Sequence, residues 1–182
     1  MKALADTPDP KAPTPSSLPD ELFLVQVDHD DATPHMTLSF SRSPTVLLTF
    51  AANRFTRAAS RLYQKRYGIG AMDWRMLVML TREPGATIAR SSEVIGIDKA
   101  AVSRSVQRLR RLGLVSQGTL HANGRSRGLD LTPEGHDLHA RILREALDRQ
   151  KRLLGGFSPE EVTMLCDMLT RFLENLEEFQ NG

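Results

Sequence analysis

From residue 43 onward, apolar positions recur every three or four residues, and caps, glycines and prolines cut the run into six predicted helices and one hairpin. Ser43-Pro44 reads as an N-cap with proline at the first helical position. The first helix then runs to about Arg66 and ends at Gly68. Its apolar stripe is Leu47, Ala51, Phe55, Ala58 and Leu62, beside a basic strip of Arg54, Arg57, Arg61 and Lys65. "MDWRMLVMLTRE" (72–83) is apolar nearly all round and is expected to be buried. Thr87 opens a short third helix that Gly96 ends, and Asp98 caps a fourth to about Leu112, closed by Gly113.

"LVSQGTL" and "RGLDL" flank the turn "ANGRS", a strong hairpin signal. Thr132-Pro133-Glu134 starts a fifth helix to about Leu154, and Ser158-Pro159-Glu160-Glu161 is a capping box for the sixth. The sixth carries a wide stripe of Val162, Leu165, Leu169, Phe172, Leu173, Leu176 and Phe179. Such a stripe on a terminal helix needs a partner surface. Residues 1–20, rich in Pro, Asp, Thr and Ser, read as a disordered tail. "LFLVQVD" (22–28) fits a strand or a helix, and "HDDATPH" reads as a loop. There is no internal repeat.

At about 100° per residue, Val102, Val106 and Leu109 fall on the inner side of the fourth helix, with Leu112 at the margin. Ala100, Ser103, Arg104, Gln107, Arg108 and Arg111 fall on the outer side. Small residues let a helix sit deep in a major groove, and Arg and Gln form paired hydrogen bonds with guanine and adenine edges. The bland alternative, a solvated basic face, is outweighed by its neighbours: a short helix and glycine turn before it, and a hairpin tip carrying Arg125 and Arg127 after it. Tip arginines so placed reach phosphates or the minor groove. The expected DNA contacts are therefore Ala100, Ser103, Arg104, Gln107, Arg108, Arg111, Arg125 and Arg127.

Charge sharpens this picture. The formal net charge is only +2, yet it is unevenly spread. Residues 1–43 hold 3 basic and 7 acidic side chains, 44–70 hold 5 and none, 71–132 hold 10 and 5, and 133–182 hold 6 and 10. A basic middle between acidic ends suits a polyanionic partner. The single cysteine, Cys166, excludes an internal disulfide and a cysteine-based zinc cluster. No apolar run approaches a membrane span and the first residues lack a signal-peptide core, so a cytoplasmic protein that meets no membrane is expected.

Over residues 44 to 180 the chain resembles the MarR family of transcriptional regulators. The matching segments are "NRFTRAASRLYQKRYGI", "DWRMLVML", "IDKAAVSRSVQRLRRLGLV" and "GRSRGLDLTPEG". At the wing tip, where the family usually has Asp-x-Arg, the chain has Asn123, Gly124 and Arg125. The resemblance implies a mainly α fold with a small β-hairpin wing: a winged helix-turn-helix plus a helical dimerisation lobe. Residues 71–132 would form the DNA-binding domain, 44–70 with 133–182 the dimerisation region, and 1–43 an N-terminal extension. It further implies a homodimer on a palindromic operator in double-stranded DNA. Repression would be relieved by a small aromatic or phenolic effector, in a pocket bordered by the first, second and fifth helices. Arg57, Trp74 and His139 are the pocket candidates: Arg57 to meet a carboxylate, Trp74 to stack on a ring.

Other readings are open at this point. His136 and His139 lie at i and i+3, a spacing that can hold a metal, although no metal or other cofactor is expected. Cys166 can sense oxidant, but its place beside the apolar stripe favours buried packing. A ligand-independent architectural DNA binder would share the basic lobe without a pocket. An enzyme is the least favoured class, because no phosphate loop, serine elbow or cysteine–histidine arrangement is present.

Overall fold

The computed structural model describes residues 17–28, 34–120 and 127–181. Its helices are α1 (Pro44–Tyr67), α2 (Ala71–Arg82), α3 (Ile88–Ile95), α4 (Lys99–Arg111), α5 (Pro133–Leu153) and α6 (Pro159–Asn181), preceded by a 3-10 turn at Asp20–Leu22. Two antiparallel hairpins complete it: β1 (Leu24–Asp28) with β2 (Pro34–Leu38), and β3 (Val115–Leu120) with β4 (Arg127–Leu131). Pro44–Arg149 make one compact unit, and Gln150–Gly182 with the described part of Met1–Ser43 make another.

The helix ends obey the local chemistry of their caps. The Thr87 hydroxyl accepts the Arg90 N–H, and the Asp98 carboxylate accepts the Ala101 N–H at 2.8 Å. At the start of α6, Ser158 Oγ accepts the Glu161 N–H while Glu161 accepts the Ser158 N–H, a reciprocal box. Gly96 takes a φ of 69° after α3, so that its N–H and that of Ile97 close on the Ser92 carbonyl. Gly113 does the same work after α4.

The core of the first unit lies between α2, α4, α5 and the second hairpin. Met76, Leu77, Met79 and Leu80 of α2 meet Val102, Val106 and Leu109 of α4, with Leu114, Leu129, Leu138 and Ile142 around them. Val78 breaks the expectation of a wholly buried α2, being 39% exposed. A third strand-like pairing, Ala86 with Leu129, ties the residues before α3 to β4. The α5 start is drawn close to the end of α4. Thr132 donates its hydroxyl to the Gly113 carbonyl and its N–H to the Leu114 carbonyl, and accepts the Gly135 N–H. A Cβ on Gly135 would stand 2.1 Å from the Leu114 oxygen, which is why "LTPEG" ends on glycine.

Two further expectations are corrected. The residues 29–35 expected as a loop contribute Pro34 and His35 to β2, which pairs with β1 in the register Leu24 to Leu38 and Asp28 to Pro34. Strand propensity alone is symmetric with a helix over "LFLVQVD"; the cross-strand ladder decides for strand. On α1 the residues buried within the single chain are Ala59 and Tyr63, while Leu47, Ala51, Phe55 and Ala58 of its apolar stripe are exposed. Cys166 is exposed rather than packed, as none of the described side chains of α6 is buried within one chain. Most of the tail (1–16) and the wing turn "ANGRS" (122–126) lie outside the described residues.

Candidate nucleic-acid interface

The fourth helix is held by its inner side and presents the other. Val102 and Leu109 are fully enclosed and Val106 nearly so. Opposite them, Ala100, Arg104, Gln107, Arg110 and Arg111 are exposed and Ser103 is half-buried. The only acid at this helix is Asp98, at the N-cap, where it favours the helix dipole, while Arg108, Arg110 and Arg111 occupy the last turn. Arg111 Nε turns back on the Gln107 carbonyl at 3.4 Å. The result is a ridge, small at its start and cationic further on, of the width a major groove admits.

Arg108 differs from its neighbours. Its Nη2 donates to Asp73 Oδ1 at 2.7 Å and its Nε to Oδ2 at 3.3 Å. Asp73 sits in the first turn of α2, almost wholly buried, and also accepts the Ser105 hydroxyl at 2.6 Å and the Gly70 N–H at 3.0 Å. Neither Asp73 nor Ser105 stands out in the sequence reading. The available signal was an acid inside the apolar run "MDWRMLVML" and a serine on the inner side between Val102 and Val106. Arg125 lies outside the described residues, and Arg127 is the first residue of β4, its backbone paired with Leu120.

Of the three pocket candidates, two are brought together. Trp74 stacks on His139 with centroids 5.2 Å apart, and Tyr63 packs tilted against Trp74 at 5.9 Å. Burial holds the His139 imidazole below its ordinary value, and the nearby His136 charge adds to this. Tyr63 is raised by its own burial, opposed by Arg149. Arg57 is exposed on α1 and does not join the cluster. Trp74 also forms one wall of a depression of about 260 Å³ between α2 and α3, with Arg75, Val78, Arg82, Val94 and Ile95 around it. Among the described residues there is no group of three His, Cys, Asp or Glu able to hold a metal, and no helix long and apolar enough to cross a membrane.

A short helix, a left-handed glycine turn, a capped helix with a cationic outer ridge and a following hairpin define a winged helix-turn-helix DNA-binding protein. Comparison with known proteins makes the assignment specific. A family model described as MarR family matches residues 67–126. The HTH-type transcriptional regulator PecS of Dickeya dadantii (strain 3937) is 26% identical over 123 residues, covering 66% of this chain and 74% of that protein. A MarR/EmrR family regulator from Acinetobacter sp. ADP1 superposes with a TM-score of 0.72 at 27% identity, over 78% of this chain and 99% of its own. A putative MarR family regulator from Listeria monocytogenes, solved with a 26mer DNA, gives a TM-score of 0.69 at 22% identity, over 74% and 89%. The chain is thus similar to MarR-family transcriptional regulators, in sequence over residues 67–126 and in fold over about three quarters of its length.

Proposed function

We propose that two copies of this chain bind a palindromic operator and repress transcription until a small aromatic or phenolic acid releases them. The observation that carries the DNA half of this reading is the outer ridge of α4: Arg104, Gln107 and Arg111 are exposed on a helix whose other side is locked in the core. Arginine and glutamine there match the donor and acceptor pattern of base edges, each good pair contributing about 1–3 kcal/mol of discrimination. Ala100 and Ser103 admit close approach at the helix start. Arg125 and Arg127 are the phosphate contacts of the wing in this reading. The DNA-bound Listeria neighbour is consistent with it.

The paired state is supported by α6. Met164, Leu165, Met168, Leu169, Leu173, Leu176 and Phe179 are all exposed on one chain, an apolar face that water does not tolerate on a stable monomer. A twofold pair puts its recognition helices about one DNA turn, ~34 Å, apart, which is why the operator is expected to be an imperfect palindrome. The effector half rests on the depression beside Trp74, whose wall also carries Arg75 and Arg82, two cations able to meet a carboxylate.

The test is fluorescence anisotropy on a duplex selected by the protein from a randomised pool, against a scrambled duplex. Arg104→Ala is expected to weaken selected-duplex binding about 10-fold or more and to relax preference at one base pair. Equal affinity of mutant and wild type on both duplexes would reject the groove assignment. A panel of aromatic acids then titrates the complex, and release by none of them would remove the effector half.

A further inference from the structure

We infer that Arg108 does not read DNA but is a positioning residue, and that Asp73, Ser105 and Arg108 together set the angle at which α4 meets the groove. The inference rests on the DNA-binding reading above. Two carboxylate oxygens take four donors: Oδ1 from Ser105 Oγ and Arg108 Nη2, Oδ2 from the Gly70 N–H and Arg108 Nε. Ser105 and Arg108 are one turn apart on α4, while Gly70 and Asp73 bracket the start of α2. One carboxylate therefore fastens the middle of the recognition helix to the first turn of α2 at two points, and a two-point tie resists rotation about the α4 axis as well as sliding.

The energetics oppose any swing of Arg108 toward bases. Asp73 keeps 4% of its side-chain surface, whereas Arg108 keeps 43%. An acid so enclosed needs its cationic partner, because the charge has almost no water to turn to. Drawing Arg108 into the groove would leave Asp73 with two donors and no countercharge. Arg104, one turn earlier, has no such obligation and is exposed. The two arginines look alike on a helical wheel; the buried acid on α2 separates their roles.

The experiment uses the full chain and the selected duplex. Asp73→Asn, Arg108→Met and Arg108→Lys are compared, together with the Asp73→Asn/Arg108→Met double variant. Each single change to Asn or Met is expected to weaken binding about 10-fold, with the double variant no weaker than the worse single one. The preferred sequence and the slope of log affinity against log salt should stay as in wild type, since no base or phosphate contact is lost. Arg108→Lys, a point charge without the fork, should recover only part. An Asp73→Asn variant that binds as tightly as wild type or tighter, while Arg108→Met relaxes one base preference or lowers the salt slope, would overturn the inference. Should the Asn variant fail to fold, the Arg108 Nε–H resonance of wild-type protein decides. It is expected to stay unshifted when the selected duplex is added, and a shift as large as that of Arg104 would overturn it. Failure of the underlying reading is distinguishable, because then wild type and Arg104→Ala do not discriminate selected from scrambled DNA.

Discussion

His139 carries the clearest chemical signature of any single side chain outside the α4 ridge. Its imidazole lies on Trp74, and burial there holds its affinity for protons below the ordinary value of 6.5. The unfolded chain takes up a proton near that value while the folded chain still resists. Stability is therefore complete above about pH 6.5 and is eroded as the pH falls through the window below it. Thermal unfolding between about pH 5 and pH 7 should show this slope in wild type and a flatter one in His139→Phe, which keeps the stack and loses the proton site. Parallel profiles would remove the desolvation account. At the same scale, reading by angle alone put Arg104 and Arg108 on one face, correctly as regards exposure. It had no means of finding Asp73, which lies 35 positions before Arg108 and is brought to it by the crossing of α2 and α4.

At the scale of elements, the six helices and the second hairpin were legible because their boundaries are set within a few residues. Thr87, Asp98 and Ser158 each satisfy the N–H group three positions on, and Gly96 and Gly113 reach left-handed φ without a Cβ penalty. The tight join of α4, β3 and α5 was legible only as a string, "LTPEG". Its physical content is the 2.1 Å approach a Cβ on Gly135 would make to a backbone oxygen that cannot yield. Gly135→Ala should thus lower unfolding free energy by about 1–3 kcal/mol, as overpacking does, measured by urea denaturation. A value within error of wild type would mean that α5 moves freely off the wing. The first hairpin was not legible. Its strands are five residues each and alternate weakly, and a two-stranded ladder shows itself only when both partners are aligned.

For the whole molecule, the exposed face of α6 has the larger consequence. A chain ending before residue 160 should run as a monomer in light scattering and lose most of its affinity for palindromic DNA, because two half-sites bound by separate molecules forgo the gain of linkage. A truncated chain that remains dimeric would locate the pairing surface elsewhere. Salt should weaken wild-type binding steeply, in line with the excess of basic residues between 44 and 132. A flat salt response would deny phosphate a part in the contact.

Taken alone, the order of residues determined where helices start and stop, which side of α4 is apolar, and how charge is divided along the chain. These are properties of neighbours, and short-range caps and periodicity are enough to write them. Folding in three dimensions decided which arginine of that helix is tied down, which side of α1 is covered, and that residues 24–38 pair as strands. Those outcomes depend on groups tens of positions apart meeting in a site that excludes water, where a buried carboxylate must find its donors and an alternating strand its partner.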